Sequence, residues 1–248
     1  MQPLNDEEEM FFKRIYSIKN NAIDNYKITT LKFLDLRKQE IIKYIIGKDC
    51  YLYFDGGYND SEYKKCIISP FEIDYPDFKI TKLKLNYNKK FLSLNHRKVL
   101  AVLMDLGIKR EVFGDILFNN NDCFIMASSE NKDYIINNLR IISHNPVEVI
   151  EYDGTIENII TLEEDKIFVS SLRLDCIISG VYNISRSISQ ELIEKEKVKV
   201  NQTLIKNNNH ELKNGDIVSV RGKGRFKMLE QLGTSKSNHI CLKIGKYI

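Results

Sequence analysis

The last third of the chain contains three stretches that decide its fold: Arg173-Leu174-Asp175, Ser185-Arg186-Ser187 and Lys197-Val198-Lys199-Val200-Asn201. Apolar residues around the first stretch recur at helical spacing, and Gly180 is expected to end that helix. Ser185 is expected to cap a second helix, since a serine hydroxyl can accept a hydrogen bond from a free N–H group of the first turn. The pattern therefore predicts two short helices that pack against each other.

Alternating charged and β-branched residues predict β-strands after these helices. Residues 197–200 and 203–205 are expected to pair as two strands, joined by a turn at 201–202. A second turn at 214–216, Asn-Gly-Asp, leads into an alternating strand at 217–220. The last third of the chain is thus predicted to combine two helices with a small sheet.

Charge separates this part of the chain from the rest. From residue 170 onward there are 14 Lys and Arg against 7 Asp and Glu, a net charge of +7, whereas residues 1–169 carry 23 against 27, a net charge of −4. Such an asymmetry favours a polyanionic partner, because each cation placed on a phosphate releases condensed counterions. Arg173 and Arg186 also lie near predicted helix starts, whose free N–H groups attract phosphate. The alternative is a solvated charged surface without a partner.

The order and spacing of these stretches resemble the S-four RNA-binding domain, the αL motif named after a protein of the small ribosomal subunit. The resemblance covers about a third of the chain. Glu196 and Gln202 stand where that domain usually has glycine, and neither readily adopts a positive φ. Charge and resemblance together predict the RNA-binding residues Arg173, Ser185, Arg186, Ser187, Lys195, Lys197, Lys199, Asn201, Arg221, Lys223 and Arg225.

The length of 248 residues allows one large domain or two to three small ones. No segment approaches the length that spans a bilayer, and residues 1–10 are acidic, so we expect a cytoplasmic protein without a membrane partner. The five cysteines are far apart and form no metal-ligand pattern, which favours buried free thiols in a reducing compartment and predicts no metal or cofactor. These cysteines are Cys50, Cys66, Cys123, Cys176 and Cys241.

The N-terminal part of the chain reads as a small α/β domain. Helical spacing predicts helices at 7–23 and 36–46, and strand-like residues at 50–54 and 64–69 flank a hairpin turn at 55–60. The two glycines of that turn lack the spacing of a phosphate-binding loop, so a structural role is preferred.

After a linker at 70–76, the elements follow the order strand, helix, strand, strand, helix, strand. This is the split plan of ferredoxin-like domains, which include the RNA-recognition fold. Phe118 and Phe124 could stack on bases, but core packing is the preferred interpretation. Basic residues bracket the first helix: His96, Arg97, Lys98, Lys109 and Arg110. The predicted strands are 78–86, 114–118, 122–127 and 146–150, and the predicted helices are 96–106 and 130–140.

The whole chain resembles the bacterial ribosome-associated YlmH family. The resemblance rests on Gly56-Gly57-Tyr58, on Gly-Ile-Lys-Arg-Glu at 107–111, on Phe-Gly-Asp-Ile at 113–116 and on Arg-Gly-Lys-Gly-Arg-Phe at 221–226. It implies binding to large-subunit rRNA and tRNA, and a part in the quality control of stalled nascent chains with other quality-control proteins. Arg97, Lys98, Lys109 and Arg110 are further RNA-binding candidates, and a monomer is expected.

We therefore predict an α+β protein of three domains. Residues 1–74 form the N-terminal α/β domain, residues 75–155 an RNA-recognition-like βαββαβ domain, and residues 170–248 the S-four RNA-binding domain.

Enzymes that carry the same RNA-binding domain provide the alternative interpretations. Arg173-Leu174-Asp175 resembles the segment around the catalytic aspartate of pseudouridine synthases, but here Asp175 is expected to orient Arg173 or cap the helix. The residues at 234–237 faintly resemble a loop of class I aminoacyl-tRNA synthetases, whose partner motif is missing, so a basic surface turn is expected. The glycine-rich loop that binds S-adenosylmethionine is also missing. A non-enzymatic RNA-binding factor is preferred over a pseudouridine synthase and over a general RNA-binding protein linked to cell division.

Overall fold

A computed structural model describes residues 4–59, 61–119, 122–156, 162–235 and 238–247. The chain divides into two compact units, residues 1–159 and residues 160–248. Both units combine helices with antiparallel sheets, which confirms the predicted α+β class. Among the described residues, no helix combines the length and the apolar character that crossing a bilayer requires.

The N-terminal part of the first unit packs two helices against a three-stranded antiparallel sheet. The predicted helices and the hairpin are confirmed, whereas the first strand was not predicted. In sheet order the strands are β1, β3 and β2. Asp35 caps the second helix, because its side chain accepts a hydrogen bond from the N–H of Lys38 at 2.8 Å. The elements are α1 (Asp6–Asn25), β1 (Thr29–Leu34), α2 (Leu36–Ile46), β2 (Tyr51–Asp55) and β3 (Lys64–Ser69).

The rest of the first unit is a five-stranded antiparallel sheet with two helices. In sheet order the strands are β5, β6, β4, β8 and β7, so β6 lies between β4 and β5 and splits the β-α-β unit that α3 connects. The elements are β4 (Ile80–Tyr87), α3 (His96–Asp105), β5 (Phe113–Asn119), β6 (Asp122–Ser128), α4 (Lys132–Asn138), β7 (Ile141–Ile142) and β8 (Asn145–Glu151).

This sheet is covered on both faces. One face, with Leu83 and Ile125, packs against the apolar sides of α3 and α4. The other face, with Phe124 and Met126, packs against Phe33, Tyr58 and Tyr63 of the N-terminal part. Neither face of this sheet is therefore an open apolar surface.

The two candidate stacking aromatics of this sheet have different surroundings. Phe124 is only 5% exposed and its ring centroid lies 5.0 Å from that of Tyr152, so the core interpretation is confirmed. For Phe118 the same interpretation is wrong, since 37% of the residue is exposed. Phe118 lies near the end of an edge strand, where only one neighbouring strand can cover it.

The second unit packs two helices against one face of a six-stranded antiparallel sheet. In sheet order the strands are β11, β10, β12, β13, β14 and β9. Val198, Val220 and Phe226 on the sheet pack against Leu174 and Ile177 on the first of these helices. The elements are β9 (Leu162–Val169), α5 (Leu174–Tyr182), α6 (Arg186–Glu194), β10 (Val198–Val200), β11 (Thr203–Leu204), β12 (Ile217–Val220), β13 (Gly224–Thr234) and β14 (Ile240–Tyr247).

The prediction that Gly180 ends helix α5 is wrong. The helix continues to Tyr182, and Asn183 ends it in the left-handed region with a φ of 50°. Asparagine tolerates this conformation better than most residues. Gly180 instead permits close packing, because a Cβ atom there would lie only 3.2 Å from Cγ1 of Val169 on β9.

The predicted hairpin after α6 forms without the expected glycines. Asn201 and Gln202 both have positive φ, 48° and 68°, as the two central residues of a type I′ turn do. Glu196 also has a positive φ of 57°. The Asn201 side chain fixes the turn, since it donates to Asp216 at 2.8 Å and accepts from the N–H of Ile217 at 2.9 Å.

Candidate nucleic-acid interface

The centre of the candidate interface is a buried carboxylate. Asp175 has no exposed surface, and one of its oxygens accepts from Nε of Arg186 at 2.9 Å and from Nε2 of Gln190 at 2.8 Å. Arg173 contacts both carboxylate oxygens, at 3.1 and 3.0 Å. The N–H of Cys176 completes the set at 2.9 Å. The predicted pairing of Asp175 with Arg173 is confirmed, and Arg186 joins the same carboxylate.

Local helix geometry brings these side chains together. Arg173 immediately precedes α5, and Asp175 lies in the first turn of that helix. Ser185 caps α6 as predicted, because its hydroxyl accepts from the N–H of Ile188 at 3.3 Å, and Arg186 is therefore the first helical residue. Gln190 follows Arg186 by four residues and lies on the same side of the helix. That spacing could have predicted the role of Gln190, which sequence analysis missed.

Electrostatics keeps this carboxylate charged. Burial on its own raises the pKa of Asp175, but hydrogen bonds from Arg173, Gln190 and Arg186 outweigh burial and hold the pKa well below its ordinary value. The two guanidinium groups remain accessible, with 31% of the Arg173 side chain and 50% of the Arg186 side chain exposed. A fixed guanidinium presents several N–H donors in one plane, which suits the oxygens of a phosphate group.

The other candidates around α6 lie at its two ends. Ser185 and Ser187 are exposed, and their hydroxyl oxygens are 2.9 Å apart. Lys195 follows the helix and forms an ion pair with Glu191. The two serines therefore accompany Arg186 at the start of the helix, whereas Lys195 lies at its far end.

A second set of candidates lies on the opposite face of the sheet. Val198, Val220 and Phe226 point toward the helices, so the residues that alternate with them project from the outer face. Lys199 pairs in register with Ser219, and Ser219 pairs with Arg225. The same outer face carries Lys197 and Arg221, and exposed Lys223 lies in the turn before β13. The structure thus separates most of the predicted basic residues into two groups. The helix group is Arg173 and Arg186 beside Asp175, and the sheet group is Lys197, Lys199, Arg221, Lys223 and Arg225.

The candidates of the first unit do not form one cluster. Arg97 and Lys98 lie in the first turn of α3, whereas Lys109 and Arg110 follow its end, about 15 Å away for a helix of this length. Arg97 and Lys109 are exposed. The guanidinium of Arg110 lies 3.9 Å from the centroid of the Tyr63 ring, and it also donates to the carbonyls of Phe113 and Gly114.

Two further predictions concern the cysteines and the turn at 234–237. The five cysteines are free thiols, and four of them are buried; Cys241 is partly exposed. Of the predicted basic turn, Lys236 and Ser237 lie outside the described residues.

Comparisons with known proteins place this interface within a family. The "Putative RNA-binding domain in YlmH" matches residues 73–155, and the "S4 domain" matches residues 172–218. "Ribosome-associated protein quality control protein P2" of Bacillus subtilis (strain 168) is 31% identical over 244 residues, which are 96% of this chain and 94% of that protein. The chain belongs to the YlmH family. A solved structure, "Cell division protein ylmH from Streptococcus pneumoniae", matches with 26% identity and a TM-score of 0.52 over 61% of this chain and 94% of that chain.

The matched ranges divide the candidate residues of this YlmH-family chain. The S4 match contains the whole Asp175 cluster together with Lys197, Lys199 and Asn201. Arg221, Lys223 and Arg225 follow the match on the same sheet. The four basic candidates of the first unit, Arg97, Lys98, Lys109 and Arg110, fall within the match to the other RNA-binding domain.

Proposed function

We propose that this protein is a non-enzymatic RNA-binding factor of the cytoplasm that binds large-subunit rRNA and tRNA. The observation that carries the proposal is the pair of arginines held by the buried Asp175 inside an S4 domain. The name of the Bacillus subtilis relative supports a role in ribosome-associated quality control of stalled nascent chains. In this role the protein acts as a monomer alongside other quality-control proteins.

The proposed binding mechanism relies on preorganisation. In water, two arginines repel each other and lose side-chain entropy when they bind a phosphate. Here the ionised Asp175 offsets one of the two positive charges and fixes both guanidinium groups before RNA arrives. Phosphate contacts dominate such an interface, so the affinity should fall steeply as the salt concentration rises.

Each predicted domain has a place in the proposal. Residues 170–248 supply the main RNA contacts through the Asp175 cluster. Residues 75–155 add weaker contacts through the exposed side chains of Arg97 and Lys109. Residues 1–74 pack on the sheet of that middle domain and cover one of its faces.

The alternative is catalysis by Asp175, as in pseudouridine synthases. A catalytic carboxylate must reach the reacting base. Asp175 has no exposed surface, and its oxygens already accept hydrogen bonds from three side chains and one backbone N–H. This geometry favours a positioning role. Pseudouridine maps of rRNA from cells with wild type or with Asp175→Asn should therefore be identical, and the loss of one site would support catalysis.

The proposal is tested by cosedimentation of the purified protein with large ribosomal subunits at several salt concentrations. Arg173→Ala combined with Arg186→Ala should abolish most binding, because it removes both guanidinium groups that donate hydrogen bonds to RNA phosphates in the helix group. Lys213→Ala is the matched control, since Lys213 is an exposed cation of the same unit outside both basic groups. Unchanged binding of the double variant would refute the assigned site.

A further inference from the structure

The outer face of the C-terminal sheet carries an open depression of about 480 Å³ beside the turn that joins β12 to β13. Its lining includes Lys197, Lys199, Arg221 and Arg225, together with Ser219, which pairs in register with Lys199 and Arg225. Its volume falls in the range of about 300–1,000 Å³ that is usual for small-molecule sites. The depression is therefore large enough for one nucleotide.

The charge of this depression is strongly positive. Glu196 is its only acidic lining residue, and Lys206 neutralises it at 2.6 Å. Within residues 162–235 and 238–247, the side chains of Lys197, Lys199 and Arg221 have no ion-pair partner. Three cations that form no ion pair in this part of the chain surround one depression, which favours an anionic ligand with more than one negative oxygen.

A platform made of Arg225 and Tyr247 distinguishes this depression from a simple phosphate site, since Arg225 lines the depression and contacts the Tyr247 ring. The guanidinium carbon of Arg225 lies 4.4 Å from the centroid of the Tyr247 ring. Arg225 and Tyr247 occupy neighbouring positions on adjacent strands, because Phe226 on β13 pairs with Lys246 on β14. Both side chains lie on the outer face, where the cation–π contact restrains the Arg225 guanidinium. Unpaired RNA bases stack on arginine planes and on tyrosine rings.

We propose that this depression receives one unpaired nucleotide of an RNA ligand. Its base stacks on the Arg225–Tyr247 pair, and its flanking phosphates contact Lys197, Lys199 and Arg221. The proposal rests on the RNA-binding function proposed above and adds that the sheet group reads an unpaired base, whereas the helix group binds the phosphate backbone. A site for phosphate alone would need the cations but not the stacked pair.

The test compares two RNA hairpins of equal length, one fully paired and one with a single bulged adenosine. Dissociation constants of the full-length protein are measured by fluorescence anisotropy at one salt concentration. Wild type should bind the bulged RNA about tenfold more tightly, which corresponds to one base stacked on a side chain. Equal affinity for the two RNAs would overturn this proposal and leave the proposed function intact. If neither RNA binds, both proposals fail.

Two variants test whether the preference for the bulged RNA depends on Arg225 and Tyr247. Arg225→Lys keeps the positive charge but removes the planar guanidinium group. Tyr247→Leu keeps an apolar side chain but removes the aromatic ring. Each should bring the affinity ratio close to one, whereas Lys213→Ala should leave the ratio at the wild-type value. Thermal unfolding checks that each variant folds. A ratio that stays at the wild-type value in both folded variants would overturn the proposal.

Discussion

Asp115 in the first unit and Asp175 in the second are both carboxylates on which several chain segments converge. Asp115 on β5 accepts from the hydroxyl of Tyr58 at 2.7 Å and from the backbone N–H groups of Glu62 and Tyr63 at 2.8 and 3.3 Å. All of these donors are neutral. The donors to Asp175 include two guanidinium groups.

The pKa values of the two carboxyl groups move in opposite directions because of these donors. Burial raises the pKa of Asp115, and the neutral donors do not compensate fully. At Asp175, burial also acts to raise the pKa, but the charged donors lower it well below the ordinary value. Neutral donors thus hold Asp115 where chain segments of the first unit meet, a contact named the Asp115 joint. Charged donors hold Asp175 beside two partly exposed guanidinium groups.

The contacts of Asp115 explain two sequence motifs of the first unit. Tyr58 belongs to Gly56-Gly57-Tyr58, and Asp115 belongs to Phe-Gly-Asp-Ile at 113–116. A Cβ atom at position 114 would lie 2.7 Å from the Phe33 ring, so glycine is required where the N-terminal part meets the sheet. These motifs join the N-terminal part to the middle sheet and cover the face that RNA-recognition domains use for base stacking.

Asp175→Ala should have the largest effect. The substitution leaves Arg173 and Arg186 without the carboxylate that offsets one charge and fixes both side chains, and it removes the acceptor of Gln190. Because both arginines are partly exposed, we expect a loss of about 2 kcal/mol in unfolding free energy, below the range for fully buried pairs. RNA affinity should fall at least tenfold. Urea unfolding and fluorescence anisotropy measure the two effects.

The matched control for Asp175→Ala is Asp133→Ala, which removes an exposed carboxylate from α4. It should change neither unfolding nor RNA affinity measurably. If Asp175→Ala destabilises the protein but retains full RNA affinity, preorganisation of the two arginines is not needed for binding. The charged donors of Asp175 would then contribute to stability but not to RNA binding.

Asp115→Ala should affect stability alone. The substitution removes the carboxylate that accepts from the Tyr58 hydroxyl and from two backbone N–H groups. We expect the free energy of unfolding to fall by about 2 kcal/mol. RNA affinity should stay within about twofold of wild type, because the Tyr58, Glu62 and Tyr63 donors to Asp115 are all neutral. Urea unfolding of the first unit and anisotropy with the same RNA test both parts. A large loss of affinity in the folded variant would show that the joint contributes to binding.

The elements with a local sequence signal were predicted correctly. Ser185 as a helix cap and the alternating strands β10 and β12 depend on residues close together in the chain. Strand β9 was missed because Glu163, Glu164 and Asp165 are consecutive acids, a pattern that does not indicate a strand. Its stability depends on distant partners on β14, since Lys243 pairs with Glu164 at 2.8 Å and Lys246 with Asp165 at 3.6 Å.

The prediction of the candidate site was likewise limited by contacts between residues far apart in the chain. Arg173 and Arg186 were recognised from motif spacing, and the pairing of Asp175 with Arg173 follows from their positions two residues apart. The separation into a helix group and a sheet group could not be predicted, because it depends on strand register. Lys199, Ser219 and Arg225 become neighbours only when β10, β12 and β13 pair. The motif residue Arg110 was taken as an RNA ligand, yet its guanidinium stacks on Tyr63.

The smallest expected effect is an opposite pH dependence at the two aspartates. The folded-state pKa of Asp175 lies below the unfolded value of about 3.9, so its stabilising contribution is present above that pH and is lost as the pH falls further. The folded-state pKa of Asp115 is raised, so the folded state takes up the proton more readily and the contribution of this group grows as the pH falls. Urea unfolding of wild type, Asp175→Asn and Asp115→Asn should therefore be compared between about pH 7 and about pH 3. The stability difference from wild type should shrink in acid for Asp175→Asn and grow for Asp115→Asn. Parallel curves for the two variants would contradict the opposite directions of the two pKa shifts.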